Sequence, residues 1–397
     1  MAVSRRKDSK KASAIISAII LFYMSQPYFV WSPILQNLYL RILLVFILAG
    51  LFFMNKKAFN KSDKFLLVFF FFVAIVYWAT SGNNIFFFVA FFPVVLLPFA
   101  DKDFSSKVFD VFLKIYCVFI SLALISWLLS LVGAISPYKM IPPLNPLKPG
   151  NYYVFPFMVS EHNPVERFFG VYDEPGVVGT ISALMLCINN LDMKKKSSWI
   201  LLISGLCSQS LFFYIILGLY AIGYAMTVSK KMTTKIFWIA AIAVGVFAIT
   251  RIPALQERIT ERLEWDESKG SFAGDNRINA NVLDIYVGQL HGSTLLWGIP
   301  DKSGFMEDAE GASSIWLVII VNGVVFVFLY VLFFILLAIS RNSNVWRVVL
   351  FTGVFIGTIY QRPYIFNALF VFLFCCLASQ TNDIRQSVKR IEEYGSK

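Results

Sequence analysis

Charge is scarce in this chain. Lys, Arg, Asp and Glu make up 15% of its residues, against about 25% in an ordinary soluble domain, and almost none falls near the middle of an apolar run. Histidine is scarcer, with only His162 and His291. That supply leaves no His-rich or Cys/His cluster, and Asp301 to Glu310 lacks EF-hand spacing, so no metal is expected. The five cysteines, Cys117, Cys187, Cys207, Cys375 and Cys376, all lie in apolar runs, which argues against a disulfide framework. There is no P-loop, G-x-G-x-x-G or H-E-x-x-H pattern. Nucleotide-driven and zincin-type chemistry therefore lose their basis, and no cofactor is expected. No repeat at a fixed period is seen, and mid-span ionisable groups are missing; transporters and flippases usually show such features.

Apolar surface is abundant. The chain is 58% hydrophobic, with a mean hydropathy of +0.68, the profile of an all-α polytopic membrane protein forming a single integral domain over 1–397. A spanning helix needs about 20 mostly apolar residues. About twelve stretches qualify or come close: 12–31, 38–54, 65–80, 85–100, 108–133, 175–191, 197–208, 210–228, 236–250, 313–340, 348–360 and 364–379. The seventh is short enough to be half of a re-entrant element.

The formal charge of +11 sits in short runs between these stretches rather than along one face, so it reads as a topology signal and not as a nucleic-acid surface. Lys56, Lys57, Lys61 and Lys64 follow the second stretch, Lys102 and Lys107 the fourth, and Lys194 to Lys196 the sixth. Lys230, Lys231 and Lys235 follow the eighth, and Arg341 and Arg347 the tenth. With twelve spans, all these loops and both termini are cytoplasmic. Dropping the seventh would put the Lys194 and Lys230 clusters on opposite sides. The basic start, Arg5 to Lys11, precedes an apolar run without a small-x-small cleavage site, and is expected to be a retained first span.

Two long segments, 134–174 and 251–312, then lie outside. The second holds eleven acidic residues against six Lys and Arg, and both histidines are in these segments. In the first, Pro137, Pro142, Pro143, Pro146 and Pro149 exclude regular helix and give an extended, turn-rich path. Its aromatics, among them Tyr138, Tyr152, Tyr153, Phe155 and Phe157, either sit at the membrane interface or stack on sugars. In the second, Leu255, Ile259 and Leu263 make an apolar stripe on an interfacial helix over 254–265, flanked by Arg258 and Arg262. A further helix is expected from Asp275, with Arg277 in its first turn and Ile278, Val282 and Ile285 as its buried face. Asn322-Gly323 marks a place where the tenth span breaks.

The stretch from Arg167 to Gly179 gathers an arginine, two carboxylates and a proline-started helix at the outer mouth of the bundle. Arg167 and Arg277 are both outer arginines near helix starts, and a guanidinium suits a phosphate bidentately; salt bridges to Asp173, Glu174 or Asp275 are the structural alternative. Glu174, before Pro175-Gly176, either caps the helix or acts on a sugar hydroxyl. Arg362, between the last two spans, is a third outer arginine, an interfacial anchor or a substrate contact. Tyr172, Asp173, Arg258 and Arg262 complete the candidate substrate contacts. Asp101-Lys102-Asp103 reads as a solvated cytoplasmic turn.

This layout resembles the Wzy-type O-antigen or capsule repeat-unit polymerases and, more distantly, the O-antigen ligases. The resemblance rests on Arg167, Gly170, Glu174, Pro175 and Gly176 in an Arg-x-x-Gly-x-x-x-Glu-Pro-Gly stretch. It rests also on Arg277 in a larger outer loop, and on Gly311 to Ser314 leading into the span with Asn322-Gly323. It implies a membrane glycosyltransferase of the C class (GT-C-like) in the bacterial inner membrane. The substrate implied is an undecaprenyl-pyrophosphate-linked oligosaccharide, met at the periplasmic face among membrane lipids; a chain-length regulator is a further partner the resemblance allows. By the same resemblance Arg167 and Arg277 neutralise the departing pyrophosphate, and Glu174 is first choice for the base, ahead of Asp308 and Glu310. Ligases of this superfamily carry a histidine where this chain has Ser313-Ser314, which favours polymerase over a ligase acting on lipid A core. A lipid-linked oligosaccharide flippase is the rival of a different class.

Overall fold

A computed structural model describes residues 2–82, 85–143, 150–225, 232–233, 236, 240, 244–245, 251, 264–266, 271–272, 280–308 and 314–379. The helices, in chain order, are α1 (Ala2–Met24), α2 (Leu38–Met54), α3 (Lys61–Thr80), α4 (Ile85–Phe91), α5 (Lys102–Leu131), α6 (Pro175–Ile188), α7 (Lys196–Cys207) and α8 (Leu211–Gly223). Then come α9 (Ala280–Gly288), α10 (Ser293–Trp297), α11 (Lys302–Asp308), α12 (Ile315–Arg341), α13 (Val345–Gln361) and α14 (Ala368–Ala378). The chain is a helical membrane protein. Among the described residues, α3, α5 and α12 are long and apolar enough to cross a membrane, and several shorter apolar helices accompany them.

The expected apolar stretches coincide with helices, except the ninth, 236–250, most of which lies outside the described residues. Asn37, Asn60, Ser314, Asn344 and Asn367 start α2, α3, α12, α13 and α14 by accepting a first-turn backbone N–H, satisfying donors that no earlier turn can reach. The fourth stretch is not one rod. Pro93 and Pro98 lack an N–H, and α4 gives way to a 3-10 helix, Phe92–Phe99. The break expected at Asn322-Gly323 is present, with Gly323 at φ 77° and ψ 166°.

α6 and α14 pack against each other at the centre. α6 is buried on every side from Val177 to Cys187, and α14 nearly so. By contrast α2, α3 and α5 keep exposed apolar sides at Leu43 and Phe46, Phe65 and Phe72, and Ile125 and Leu128. All-round burial marks core helices, whereas an outward apolar face at the rim suits lipid.

Among the described residues, several basic loops meet at one end. Lys10 reaches Asp101 at 4.0 Å, Lys56 bridges to Ala100, and Asp63 receives Lys57 at 2.8 Å and Arg341 at 3.4 Å. Described parts of the two long segments, around 152–174 and 293–302, are at the other end. α6, α7 and α8 run back and forth between the two: Tyr220 of α8 donates to Asn190, just past α6, at 3.2 Å, while the turn after α7 lies against the first long segment. The seventh stretch thus connects the two ends although α7 has 12 residues, about 18 Å of helix.

The described part of the first segment is extended, as its prolines require, and pairs into an antiparallel sheet ordered β1 (Lys139–Ile141), β2 (Tyr152–Phe155) and β3 (Met158–Ser160). In the second segment the expected interfacial helix lies outside the described residues up to Arg262 and Leu263; Trp265–Asp266 instead form β4, paired with β5 (Ser271–Phe272). Ile278 is also outside the described residues. The buried face of α9 differs from expectation. Ile285 is exposed, whereas Val282, Tyr286 and Leu290 pack on the cluster of Ile299, Phe305 and Ile320. The helix turns a four-residue stripe inward, and Tyr286 replaces Ile285 because its ring packs edge-on against Phe305 at 4.7 Å.

Candidate functional site

The start of α6 organises the site. Glu174 has extended backbone, and Pro175 takes the first helical position, where a missing N–H costs nothing. Glu174 makes no side-chain cap hydrogen bond. Its Oε2 accepts instead from Arg362 Nη2 at 2.5 Å. Glu174 thus occupies the expected N-cap position, and its side chain is turned to Arg362.

Arg362 comes from the turn between α13 and α14 and is almost completely buried, while the Glu174 side chain is 34% exposed. Arg362 Nη1 donates to the Tyr364 hydroxyl at 3.0 Å. Burial opposes the guanidinium charge, but Tyr364 and Glu174 outweigh it, and the pKa is raised above the ordinary arginine value. Its Nε is buried with no acceptor among the described residues. The close approach requires Gly176, where a Cβ would run into Arg362 Nη2.

A second shell of oxygens comes from the sheet. The Tyr152 hydroxyl donates to Glu161 Oε1 at 2.7 Å and is shared with the Asp173 carbonyl at 2.8 Å. Burial, and then the charges of Glu161, Asp173 and Glu174, raise its pKa and keep the phenol protonated. The intervening strip is laced to its surroundings: the Val159 N–H donates to the Gly170 carbonyl at 3.2 Å and the Tyr28 N–H to the Val171 carbonyl at 2.7 Å. Gly170 sits at φ 60°, where a side chain would be strained.

Arg167 flanks the same helix start. Its Nε and Nη2 donate to the Ser208 carbonyl at 3.3 and 3.1 Å, and Nη2 also to the Gln209 carbonyl at 3.1 Å. These carbonyls end α7, where a cation is favoured by the helix dipole. The turn also touches α6, since a Cβ on Gly179 would meet Ser208 and Ser210. These carbonyls hold the guanidinium beside α6, and Asp275, one of the expected acidic partners, lies outside the described residues.

Tyr172 corrects the sequence reading. It is 1% exposed with its hydroxyl 3.0 Å from Ser25 Oγ, so it belongs to the packing beneath the site and not to a substrate-facing wall. Arg258, Arg262, Arg277 and Glu310 lie outside the described residues. Asp308 is exposed and accepts from Tyr286 at 2.6 Å. His162 and His291 are exposed. Among the described residues, no group of three or more His, Cys, Asp or Glu could hold a metal ion.

Sequence reasoning named Tyr152 only as an interfacial or sugar-stacking aromatic and not for its hydroxyl, and it passed over Glu161 and Tyr364. The proline-rich loop hid the sheet that delivers the first two; Tyr364 stood two residues from a chosen arginine and was passed over. Together the groups present a partly exposed carboxylate aimed by a buried cation, with a further fixed cation nearby. Such a carboxylate can accept a proton, and the cations can stabilise developing negative charge. No family model, curated protein or solved structure matches the chain.

Proposed function

We propose that the protein is a GT-C-like glycosyltransferase that polymerises undecaprenyl-pyrophosphate-linked oligosaccharide repeat units into O-antigen or capsular polysaccharide. In this reading twelve spans cross the bacterial inner membrane, both termini are cytoplasmic, and the site faces the periplasm. The observation that carries it is the Glu174–Arg362 pair at the start of α6, with Arg167 fixed beside the same helix.

The roles follow from charge and exposure. Glu174 is the base that takes the proton of an acceptor sugar hydroxyl. Arg362 is a positioning residue that holds the carboxylate in one orientation. Arg167, with Arg277, balances the negative charge that grows on the departing pyrophosphate. Asp173, Glu161 and Tyr152 offer oxygens suited to sugar hydroxyls.

The test is an assay in nanodiscs with an undecaprenyl-pyrophosphate-linked repeat unit, products resolved on a gel, for wild type, Arg167→Ala and Glu174→Gln. A metal- and nucleotide-independent ladder that disappears in both folded variants is expected. Transbilayer movement of the lipid without a ladder would make the protein a flippase and remove the catalytic roles.

A further inference from the structure

The break in α12 is occupied by the second long segment. The Ile299 N–H donates to the Ile320 carbonyl at 2.8 Å, and two glycines let backbone lie on backbone. A Cβ on Gly298 would strike the Val321 carbonyl, and one on Gly323 would strike the Leu296 carbonyl. α10 is thereby locked against residues 320–323 of α12. Both glycines have positive φ, 86° and 77°, so each is demanded by conformation as well as by space.

The level of that contact can be read from two helices. Asn322 Nδ2 donates to Thr80 Oγ1 at 3.0 Å and to Ser81 Oγ at 2.8 Å, and Lys302 Nζ donates to the Thr80 carbonyl. Thr80 ends α3, whose 20 residues measure about 30 Å, the thickness of a bilayer's hydrocarbon core. From Gly323 to Arg341, α12 covers about 27 Å. Both measures put α10 at the boundary between hydrocarbon and headgroups.

At that level α10 exposes Leu295, Leu296 and Trp297. Its ends are tied by hydrogen bonds: the Gly298 N–H donates to the Thr294 carbonyl at 2.9 Å, and Thr294 Oγ1 donates to the Gln289 and His291 carbonyls. We propose that α10 is an interfacial membrane segment whose Leu295, Leu296 and Trp297 side chains contact phospholipid acyl chains at the bilayer boundary. Apolar side chains at such a boundary enter the headgroup and acyl region, and tryptophan is enriched there. The inference is independent of the catalytic reading.

The experiment uses the full chain in nanodiscs. The emission of Trp297 is isolated as the difference between wild type and Trp297→Phe, then challenged with phospholipid brominated high on its acyl chains and with aqueous acrylamide. The expected result is a blue-shifted difference emission, lost with brominated lipid and spared by acrylamide. A tryptophan introduced as His291→Trp in the Trp297→Phe background should show the reverse, which establishes that the readout separates water from lipid. Quenching of Trp297 by acrylamide alone would overturn the proposal by placing α10 in water, and quenching by neither agent would overturn it by placing α10 under protein.

Discussion

Two ion clusters stand at opposite ends of the bundle and are built inside out from each other. At the basic end the anion is buried: Asp63 is 3% exposed, between Lys57 and Arg341, and it also closes the capping box of α3 with Asn60. At the other end the cation is buried, and Glu174 meets the outside. A buried carboxylate shared by two cations and a helix cap cannot reach a substrate; its work is to join the α2–α3 turn to the end of α12. A partly exposed carboxylate fixed by a buried cation can meet a substrate. The same residue chemistry serves structure at one end and offers reactivity at the other, and burial of one partner decides which.

The largest effect expected from breaking this contrast is on turnover at the outer cluster. Under the proposed function, Glu174→Gln should lower polymerisation about 10²–10⁴-fold, the usual worth of a general base. The amide leaves the buried Arg362 guanidinium without a counter-charge, so the unfolding midpoint should fall as well; unchanged turnover per folded molecule would make Glu174 structural. Asp63→Asn should cost about 3–5 kcal/mol, as for a broken buried ion pair, with activity per folded molecule retained. Denaturation and turnover measured on the same preparations separate the two.

Gly176→Ala sharpens the contrast without touching a charge. Its methyl group would displace the Arg362 guanidinium, and a shift of about 1 Å at a reacting group can cost about 10²-fold in rate. The expected outcome is a loss in kcat with KM little changed, and Gly176→Ser should behave alike. Unchanged kcat would show that Arg362 does not position Glu174.

The smallest effect belongs to an exposed pair that stands between the two designs. Hydrogen bonding to Asp308 raises the Tyr286 pKa to about 12 from 10.0. A raised folded-state pKa adds stability that is fully present below pH 10 and fades as pH rises towards 12. Stability against pH should show a small step in that window for wild type and none for Tyr286→Phe; identical profiles would mean that the Asp308 contact does not hold in solution.

Much of the bundle was legible because lipid-facing and core helices share one compositional demand, and apolar runs mark both. The Glu-Pro-Gly start of α6 and the Asn322-Gly323 break were legible for local reasons, proline at a first turn and glycine at positive φ. The fourth stretch was legible as apolar, and Pro93 and Pro98 mark where its α-helix gives way to a 3-10 helix. Ile285 was misplaced because a three-residue step and a four-residue step both fit a short helix. Which of them faces inward depends on Phe305, 20 residues away in the chain.

Composition and apolar patterning are enough to establish a helical membrane protein whose polar residues gather in two long segments and a few short turns. Burying 41 phenylalanines and their aliphatic neighbours leaves few other solutions, since backbone polar groups in lipid must be satisfied within helices. Tertiary structure alone decided that Glu174 is held by Arg362, that Arg167 is held by the end of α7, and that Tyr172 is packed away. Each is a choice of partner across a long stretch of chain. Such choices depend on which side chain is dry and which is wet, and that is settled only when the helices meet.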